Sequence, residues 1–440
     1  MSSVRTVDSR PNEHDDQAPQ LVSRHGDTLV MSAITVDGSV RTDEPQRAPA
    51  GPVTDDPGTA VLNMSDFWPA IEAAEADEQA RREPRVGHVL VLIPAHNEGS
   101  SIAHTLRSLQ EQTTPPAEIV VICDNCTDDT AAISTANGAR VMSTVGNTDK
   151  KAGALNQALA CVLPQVGRDD LILAMDADSQ LCSEWIERAV ASISRSQKIG
   201  AVCGVFLGED GAGLIGQFQR NEYRRYARQV GRRNQAPVLS GTGTLFRVRA
   251  LREIARERGK RLPGAPGQCY TTISITEDNE ITLALKTIGY RCWSVKGCNT
   301  LTEVMPTWAD LFRQRLRWQR GTLTDLRTYG VSFITVGYWL KQIFIYTAIA
   351  ATVATWVIMC ISFRQDLAVN IPWSIAIGSL TLLERLVTVR KAGIWGMLLA
   401  LALIPEFCYD LFKLSFFMRA LYDNMRRRDV FWNHVVKGDA

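Results

Sequence analysis

Three short stretches carry residue types and spacings suited to chemistry on a phosphate-bearing ligand. Asp176-Ala177-Asp178 follows the apolar run Leu171 to Met175. Two carboxylates at i and i+2, where a strand ends and the chain turns, can meet one hard divalent cation, Mg²⁺ or Mn²⁺, which takes phosphate oxygens into the same shell. An ordinary strand-end turn with solvated aspartates has the same letters. Thr276-Glu277-Asp278 lies among Ile273, Ile275 and Ile281. A carboxylate positioned there can take the proton of a hydroxyl nucleophile. The same residues also read as a helix start, with Thr276 capping and Glu277, Asp278 and Glu280 complementing the dipole. The two readings are compatible, because a helix N-terminus would hold the acid in place. Gln314-Arg315-Leu316-Arg317-Trp318 falls on a predicted helix from Trp308 to about Leu326. Arg317 can neutralise a leaving diphosphate, and Trp318 offers a flat apolar face. A basic, aromatic helix at a membrane surface has the same composition.

The elements that must position these residues form an alternating series. His88 to Pro94 is a short β-branched run stopped by proline, which predicts a buried parallel strand. Asn97-Glu98-Gly99-Ser100 leads into a helix with Ile102, Leu106 and Leu109 on one face. Glu118 to Cys123 is a second strand, ending on Asp124, and a helix follows over 128–137. Arg140 to Ser143 is a weaker third strand, 152–163 a helix, and Asp170 to Met175 a fourth strand. This alternation with short connections predicts an α/β fold, a mostly parallel sheet with helices on both faces. Ligands of such sheets sit beyond the carboxyl ends of the strands, where Asp124 and Asp176 fall. Lys151-Ala-Gly-Ala-Leu-Asn156 pairs a cation with small residues. Ser240-Gly241-Thr242-Gly243-Thr244 is a tight turn or a close ligand wall, and is no Walker loop. Arg220 to Arg228 reads as a solvated or membrane-facing helix face.

The 440 residues suffice for two or three domains, and the net charge of +1 excludes a bulk polyanion such as nucleic acid as the implied partner. Ten cysteines are scattered, which fits free thiols in a reducing compartment. Cys123-x-x-Cys126 has no second pair to complete a tetrahedral zinc site, and no HExxH is present. Residues 1–80 are polar and poor in aromatics, which predicts disorder apart from local docking of Phe67 and Trp68 and a short helix over Ile71 to Arg82. The catalytic part is expected over 81–330, membrane-associated helices over 331–425, and a basic cytoplasmic tail over 426–440. Ile343 to Ile361 is apolar and long enough for a bilayer core of ~30 Å. Ile371 to Val389 is a second candidate, weakened by Glu384 and Arg385. Ile394 to Pro405 begins a third, interrupted by Pro405, Glu406 and Asp410. Positive charge at Arg390-Lys391 and Arg426-Arg427-Arg428 favours two full crossings and a partly interfacial third segment, with these charges in the cytoplasm.

Seven motifs in order now resemble one family. Pro94-Ala95-His96-Asn97-Glu98, Asp124, Lys151 with Asn156, Asp176-Ala-Asp178, Ser240-Gly-Thr-Gly, Thr276-Glu-Asp278 and Gln314-Arg-Leu-Arg317-Trp318 span about 88 to 330. Together they resemble glycosyltransferase family 2, and within it the membrane-bound processive branch of cellulose, chitin, hyaluronan and poly-N-acetylglucosamine synthases. The resemblance implies a GT-A nucleotide-binding fold and an inverting transfer from a UDP-sugar at the inner face of the plasma membrane. It implies that Pro94, Ala95, Asn97, Glu98, Asp124, Lys151, Asn156 and Asp176 bind the nucleotide-sugar, with Asp124 on the base. Asp178, with Asp176, would hold Mg²⁺ or Mn²⁺. Asp278 would be the general base beside Glu277, and Gln314 and Arg317 would meet the donor phosphates. Gly241, Thr242 and Trp318 would form the acceptor wall, for a polysaccharide or glycolipid.

The sequence departs from the family pattern at Cys123-Asp124, where the family has paired aspartates. It also carries few helices for a product channel, since polar sugars need a wet path. Either several chains assemble a tunnel as a homo-oligomer, or the product is short, lipid-attached or retained. The alternatives are a single-addition transferase acting on lipid or protein, and a non-catalytic membrane scaffold. A phosphatase would need a downstream lysine and an acidic metal pair in a different order.

Overall fold

The computed structural model describes residues 87–230, 235–364 and 379–426, apart from 381 and 384. The polar segment 1–80, the helix expected over Ile71 to Arg82 and nearly all of the basic tail lie outside the described residues.

The sheet begins with β1 (Val89–Ala95), β2 (Glu118–Cys123) and β3 (Arg140–Ser143), followed by β4 (Leu171–Ala174) and the short β5 (Ser179–Leu181). The later strands are β6 (Ile199–Gly208), β7 (Thr244–Arg247) and β8 (Arg291–Thr302). Their spatial order is β3-β2-β1-β4-β7-β6-β8-β5. Parallel pairing runs through β3, β2, β1 and β4, as the alternating pattern predicts. β7 then enters antiparallel between β4 and β6, and β5 pairs antiparallel with β8, so the sheet is mixed.

Alternation within the parallel strands explains why they read as continuous apolar runs. Val89, Val91, Ile93 and Ala95 face one core with Val121 and Cys123, while Leu90 and Leu92 face the other with Val120 and Ile122. The first core is covered by α1 (Ile102–Gln110) and α4 (Trp185–Ile193). The second is covered by α3 (Lys150–Val162), α6 (Val248–Glu257) and α7 (Glu277–Thr287). The small helix α2 (Thr130–Ala136) follows β2. A fully buried ion pair anchors α7: Arg258 Nη1 and Nη2 donate to the two carboxylate oxygens of Glu280 at 2.5 and 2.8 Å.

The C-terminal half adds α5 (Gly213–Val230), α8 (Trp308–Tyr329), α9 (Val336–Arg364), α10 (Gly393–Leu401) and α11 (Leu403–Met425). The Arg220 to Arg228 stretch of α5 is not a solvated face. Asn221 and Tyr223 are buried, Arg225 pairs with Glu406 at 3.1 Å, and Arg228 donates to the Val387 carbonyl at 2.7 Å. Arg385 pairs with both Glu406 and Asp410, at 3.1 and 2.6 Å. The charges that interrupt the apolar C-terminal run therefore serve to dock it on α5. Pro405 sits in the first turn of α11, where its missing N–H costs nothing.

Among the described residues no single helix is long and apolar enough to cross a membrane. Gly393–Leu401 and Ile404–Met425 together pass on length and composition, and bend by 84° at the break. The Ile343 to Ile361 run lies within α9, which exposes Leu340, Ile343 and Phe344. Part of the Ile371 to Val389 candidate lies outside the described residues.

Candidate active site

A cavity of about 530 Å³ opens where the carboxyl ends of β1, β2 and β4 meet the start of α7 and the middle of α8. Asp124, Asp176, Asp178, Glu277 and Asp278 line it, and so do Lys151, Gln314, Arg317 and Trp318. Pro94, Ala95, Glu98, Gly241 and Thr242 complete the expected set on its walls. Residues scattered over more than two hundred positions thus share one cleft.

Two expected residues do not line it. Asn97 adopts φ +57° and its Oδ1 accepts from the Thr127 N–H at 2.8 Å, tying the loop after β1 to the loop after β2. Asn156 is buried; its Oδ1 accepts from the Cys269 and Tyr270 N–H groups at 3.1 and 2.9 Å, and its Nδ2 donates to the Tyr270 carbonyl at 2.7 Å. It clamps the segment that leads into Thr276. Both shape the cleft from behind.

At the end of β2, three donors converge on Asp124 Oδ1: Thr144 Oγ1 and Asn147 Nδ2, each at 2.8 Å, and Asn125 Nδ2 at 3.1 Å. The His96 Nδ1–H donates to the Asp124 carbonyl at 2.6 Å. One carboxylate in place of two is therefore rigidly presented.

The centre is an alternating charge cluster. Lys151 Nζ lies 2.6 Å from Asp176 Oδ1 and 2.8 Å from Glu277 Oε1. Burial alone would lower the lysine, but Asp176, Glu277 and Asp278 hold its ammonium well above the usual range. Burial opposes the charge of Glu277 too, yet Lys151 and Arg317 keep its carboxyl below the ordinary value. Asp278 has no such close cation. Burial first, then the neighbouring Glu277, push it up to about 6, against the pull of Lys151. Two adjacent carboxylates are thus separated in acidity by their surroundings, and the weaker acid is poised as a proton acceptor near neutral pH. The Gly241 N–H donates to Asp278 Oδ2 at 3.3 Å. A Cβ on Gly241 would lie 3.0 Å from Lys151 Nζ and 3.2 Å from Asp176 Oδ2, so glycine lets the backbone cover the cluster.

Thr276 stands at the N-cap position of α7, as expected, but does not cap it with its side chain. Its Oγ1 donates instead to Asp325 Oδ2 of α8 at 3.1 Å, and Asn279 Nδ2 donates to the same oxygen at 2.7 Å. α8 approaches so closely that a Cβ on Gly321 would sit 2.2 Å from Thr276 Oγ1. Burial pushes the Asp325 carboxyl up to about 8.

Asp178 and Asp176 are hard oxygen donors on the cavity wall. Among the described residues no three His, Cys, Asp or Glu side chains cluster to cage a metal unaided. That donor set suits Mg²⁺ or Mn²⁺, which bind one or two carboxylates together with substrate phosphates. Lys151 donates to Asp176 Oδ1 at 2.6 Å, and the Ser179 hydroxyl to Asp178 Oδ1 at 3.3 Å.

Several lining residues escaped the sequence reading. Lys150 lies beside Lys151 at φ +56°. Glu303 follows Thr302, which pairs with Ser179, and so stands across from Asp178. Glu222, Tyr223, Tyr226 and Phe206 form an aromatic and acidic wall, with Phe206 edge-on to Tyr223 at 4.8 Å and stacked on Tyr226 at 5.3 Å. Tyr223 and Tyr226 share a helix face at i, i+3 spacing, which was the one available signal.

A mixed α/β sheet whose strand ends gather acidic and cationic side chains around a cleft defines a ligand site of the α/β type, beyond the carboxyl ends of the strands. Residues 90–255 match the family described as Glycosyl transferase family 2, and this region of the chain belongs to that family. The probable glycosyltransferase YdaM of Bacillus subtilis (strain 168) is 28% identical over 256 residues, 56% of each chain. The poly-beta-1,6-N-acetyl-D-glucosamine synthase of Staphylococcus epidermidis is 23% identical over 305 residues, 65% of this chain and 66% of that protein. The chain thus spans about half to two thirds of the length of these relatives. Among solved structures, the mannosyltransferase PcManGT from Pyrobaculum calidifontis, in complex with GDP-Man and Mn²⁺, matches with a TM-score of 0.48 and 17% identity, over 83% of this chain and all of that one.

Proposed function

We propose that this protein is a membrane-associated inverting glycosyltransferase. It moves a hexose or N-acetylhexosamine from a UDP-sugar onto a hydroxyl of a growing β-linked polysaccharide or a glycolipid. One observation carries the reading: Asp278, lifted to about 6, faces the same cavity as Asp124, Asp178, Arg317 and Trp318.

In this reading Asp124 holds the base, while Lys151 fixes Asp176 and Glu277 beneath the diphosphate. Asp178, with Asp176, holds Mg²⁺ or Mn²⁺, which supplies positive charge to the donor phosphates. The acceptor oxygen attacks the anomeric carbon as the bond to the diphosphate breaks, and its proton passes to Asp278. One base and an in-line displacement need no covalent intermediate, so the configuration inverts. Arg317 and Gln314 meet the negative charge that develops on the departing UDP. Gly241, Thr242 and Trp318 wall the acceptor side.

Exposed apolar residues on α9 and the bent α10–α11 pair support attachment at the inner face of a membrane. The similarity to a poly-beta-1,6-N-acetyl-D-glucosamine synthase supports chain extension. A single-addition transferase is favoured by one feature: Glu406 and Asp410 are spent on docking to Arg225 and Arg385, so among the described residues the α11 face that carries them is packed against protein and lines no conduit.

The test is UDP release by the full chain across a panel of UDP-sugars with Mg²⁺ or Mn²⁺, with labelled products sized. A ladder of products is expected. One fixed product would select the single-addition reading, and no release with any donor would sink both.

A further inference from the structure

We infer that a relay running from the C-terminal helix α11 to the cleft, Tyr409 to Glu222 to Arg315, orients the indole of Trp318. The Tyr409 hydroxyl donates to Glu222 Oε2 at 2.7 Å. Arg315 Nη2 donates to that same oxygen at 3.2 Å, and Nη1 to Gln314 Oε1 at 2.5 Å. The Arg315 guanidinium carbon lies 4.3 Å from the centre of the Trp318 ring and 5.5 Å from that of Tyr223. Arg315, Tyr223 and Tyr409 are buried, at 3%, 3% and 2% exposed, and Trp318, Tyr223 and Glu222 line the cavity.

A buried guanidinium needs an anion, and Glu222 supplies it; Glu222 in turn is held by a tyrosine hydroxyl 187 residues away. Tyr409 cannot shift freely, because its ring stacks on Phe218 at 4.5 Å and 8°. The guanidinium plane therefore has one orientation, and the indole at i+3 on the same helix rests on it. α8 alone fixes where Trp318 starts, but leaves its ring free to turn about two side-chain bonds. The relay removes that freedom. Arg315, Glu222 and Tyr409 are positioning residues, and the acceptor wall is set by a helix outside the nucleotide-binding half.

That Trp318 meets an acceptor rests on the function proposed above; that the relay orients its ring does not. The full chain, labelled with 5-fluorotryptophan, gives ¹⁹F signals from its ten tryptophans, and Trp318→Phe identifies the one from Trp318. In Tyr409→Phe, Glu222→Gln and Arg315→Lys that signal is expected to shift or split while those of tryptophans remote from Tyr409 hold; Trp308, whose ring lies 6.2 Å from that of Tyr409, is left out of the comparison. Lysine keeps the charge but not the plane, so Arg315→Lys reports on stacking. An unmoved Trp318 signal in Tyr409→Phe and Arg315→Lys overturns the relay. If Glu222→Gln moves all signals and so reports a lost fold, Tyr409→Phe, which removes one hydroxyl, decides. A wild-type protein that releases no UDP would sink the proposed function and leave this result standing.

Discussion

On the function proposed above, the cleft has a donor wall and an acceptor wall, and the two are built on different principles. The donor wall is local: Asp124, Asp176 and Asp178 fall at or just beyond strand ends, and the donors on Asp124 come from within about two dozen residues. The acceptor wall is long-range: Glu222, Tyr223 and Trp318 are held by Arg315 and by Tyr409, from a helix near the far end of the chain. The first wall forms once the parallel sheet forms. The second exists only when α5, α8 and α11 have docked. Chemistry on the donor and orientation of the acceptor can therefore fail separately, and substitutions should sort by wall.

The largest effect is expected where the walls meet. Asp278→Asn keeps the shape but removes the proton acceptor, and turnover should fall by about 10²–10⁴-fold, the usual share of general base catalysis. UDP affinity should hold. In the wild type the acid limb of the rate should fall as pH drops through about 6, because the base must be ionised. Turnover by Asp278→Asn within a factor of a few of wild type would remove the base from the scheme.

Next in size is a break in the acceptor-side docking. Glu406 is 1% exposed and pairs with both Arg225 and Arg385. Glu406→Gln leaves Arg225 facing a neutral amide, while Arg385 keeps Asp410 at 2.6 Å; removing one partner of a buried pair costs on the order of 3–5 kcal/mol. The melting temperature should drop by several degrees while UDP affinity per folded molecule stays. A matching loss of UDP affinity would show that the two walls are one unit.

The same division explains what could be read from the sequence. β-branched runs ending on Asp124 and Asp176 announce buried parallel strands with acids at their carboxyl ends, a pattern written within a dozen letters. The pocket residues on α5 were hidden by their neighbours. Arg220, Arg224, Arg225 and Arg228 make that stretch look solvated, and what neutralises or caps two of them lies far off in sequence: Glu406 is 181 residues from Arg225, and the Val387 carbonyl 159 residues from Arg228. Thr276 misled in a related way. The letters describe a cap, but a buried carboxylate 49 residues on, Asp325, takes its hydroxyl. The antiparallel entry of β7 was equally silent, since a four-residue buried strand carries no mark of its direction.

Gly241→Ala tests the donor wall from the opposite side. The new methyl would lie 3.0 Å from Lys151 Nζ and 3.2 Å from Asp176 Oδ2, and both must move. A misplacement of about 1 Å at reacting groups can cost about 10²-fold in rate, so a shift of a few tenths of an ångström should cost less than that. The loss should appear in turnover and in metal-dependent UDP binding, with the Trp318 environment unchanged. Normal UDP binding in this variant would mean that Lys151 and Asp176 do not carry the diphosphate.

The smallest effect concerns the seam that joins the walls. Asp325, pushed up to about 8 by burial, is a neutral acid at pH 7, accepting from Thr276 and Asn279. An unfolded aspartate titrates near about 3.9. Between these values the folded chain binds the extra proton, so stability contributed by Asp325 is full below about pH 4, declines as pH rises, and is lost through about 8. Asp278 adds a slope of the same sign only up to about 6. Between 6 and 8 Cys126 also titrates, its thiol lowered to about 6 by the hydrogen bond with Cys123, with a slope of the opposite sign; that slope is common to wild type and Asp325→Asn, so their difference isolates Asp325, with a slope of at most about 1.4 kcal/mol per pH unit. Asp325→Asn keeps an oxygen for both donors and has no proton to lose. Melting temperatures of the two proteins should converge from pH 6 to 8, with wild type losing its advantage as pH rises. Parallel curves across that interval would mean that the carboxyl is ionised throughout, held as an anion by its donors, and that the seam is insensitive to pH.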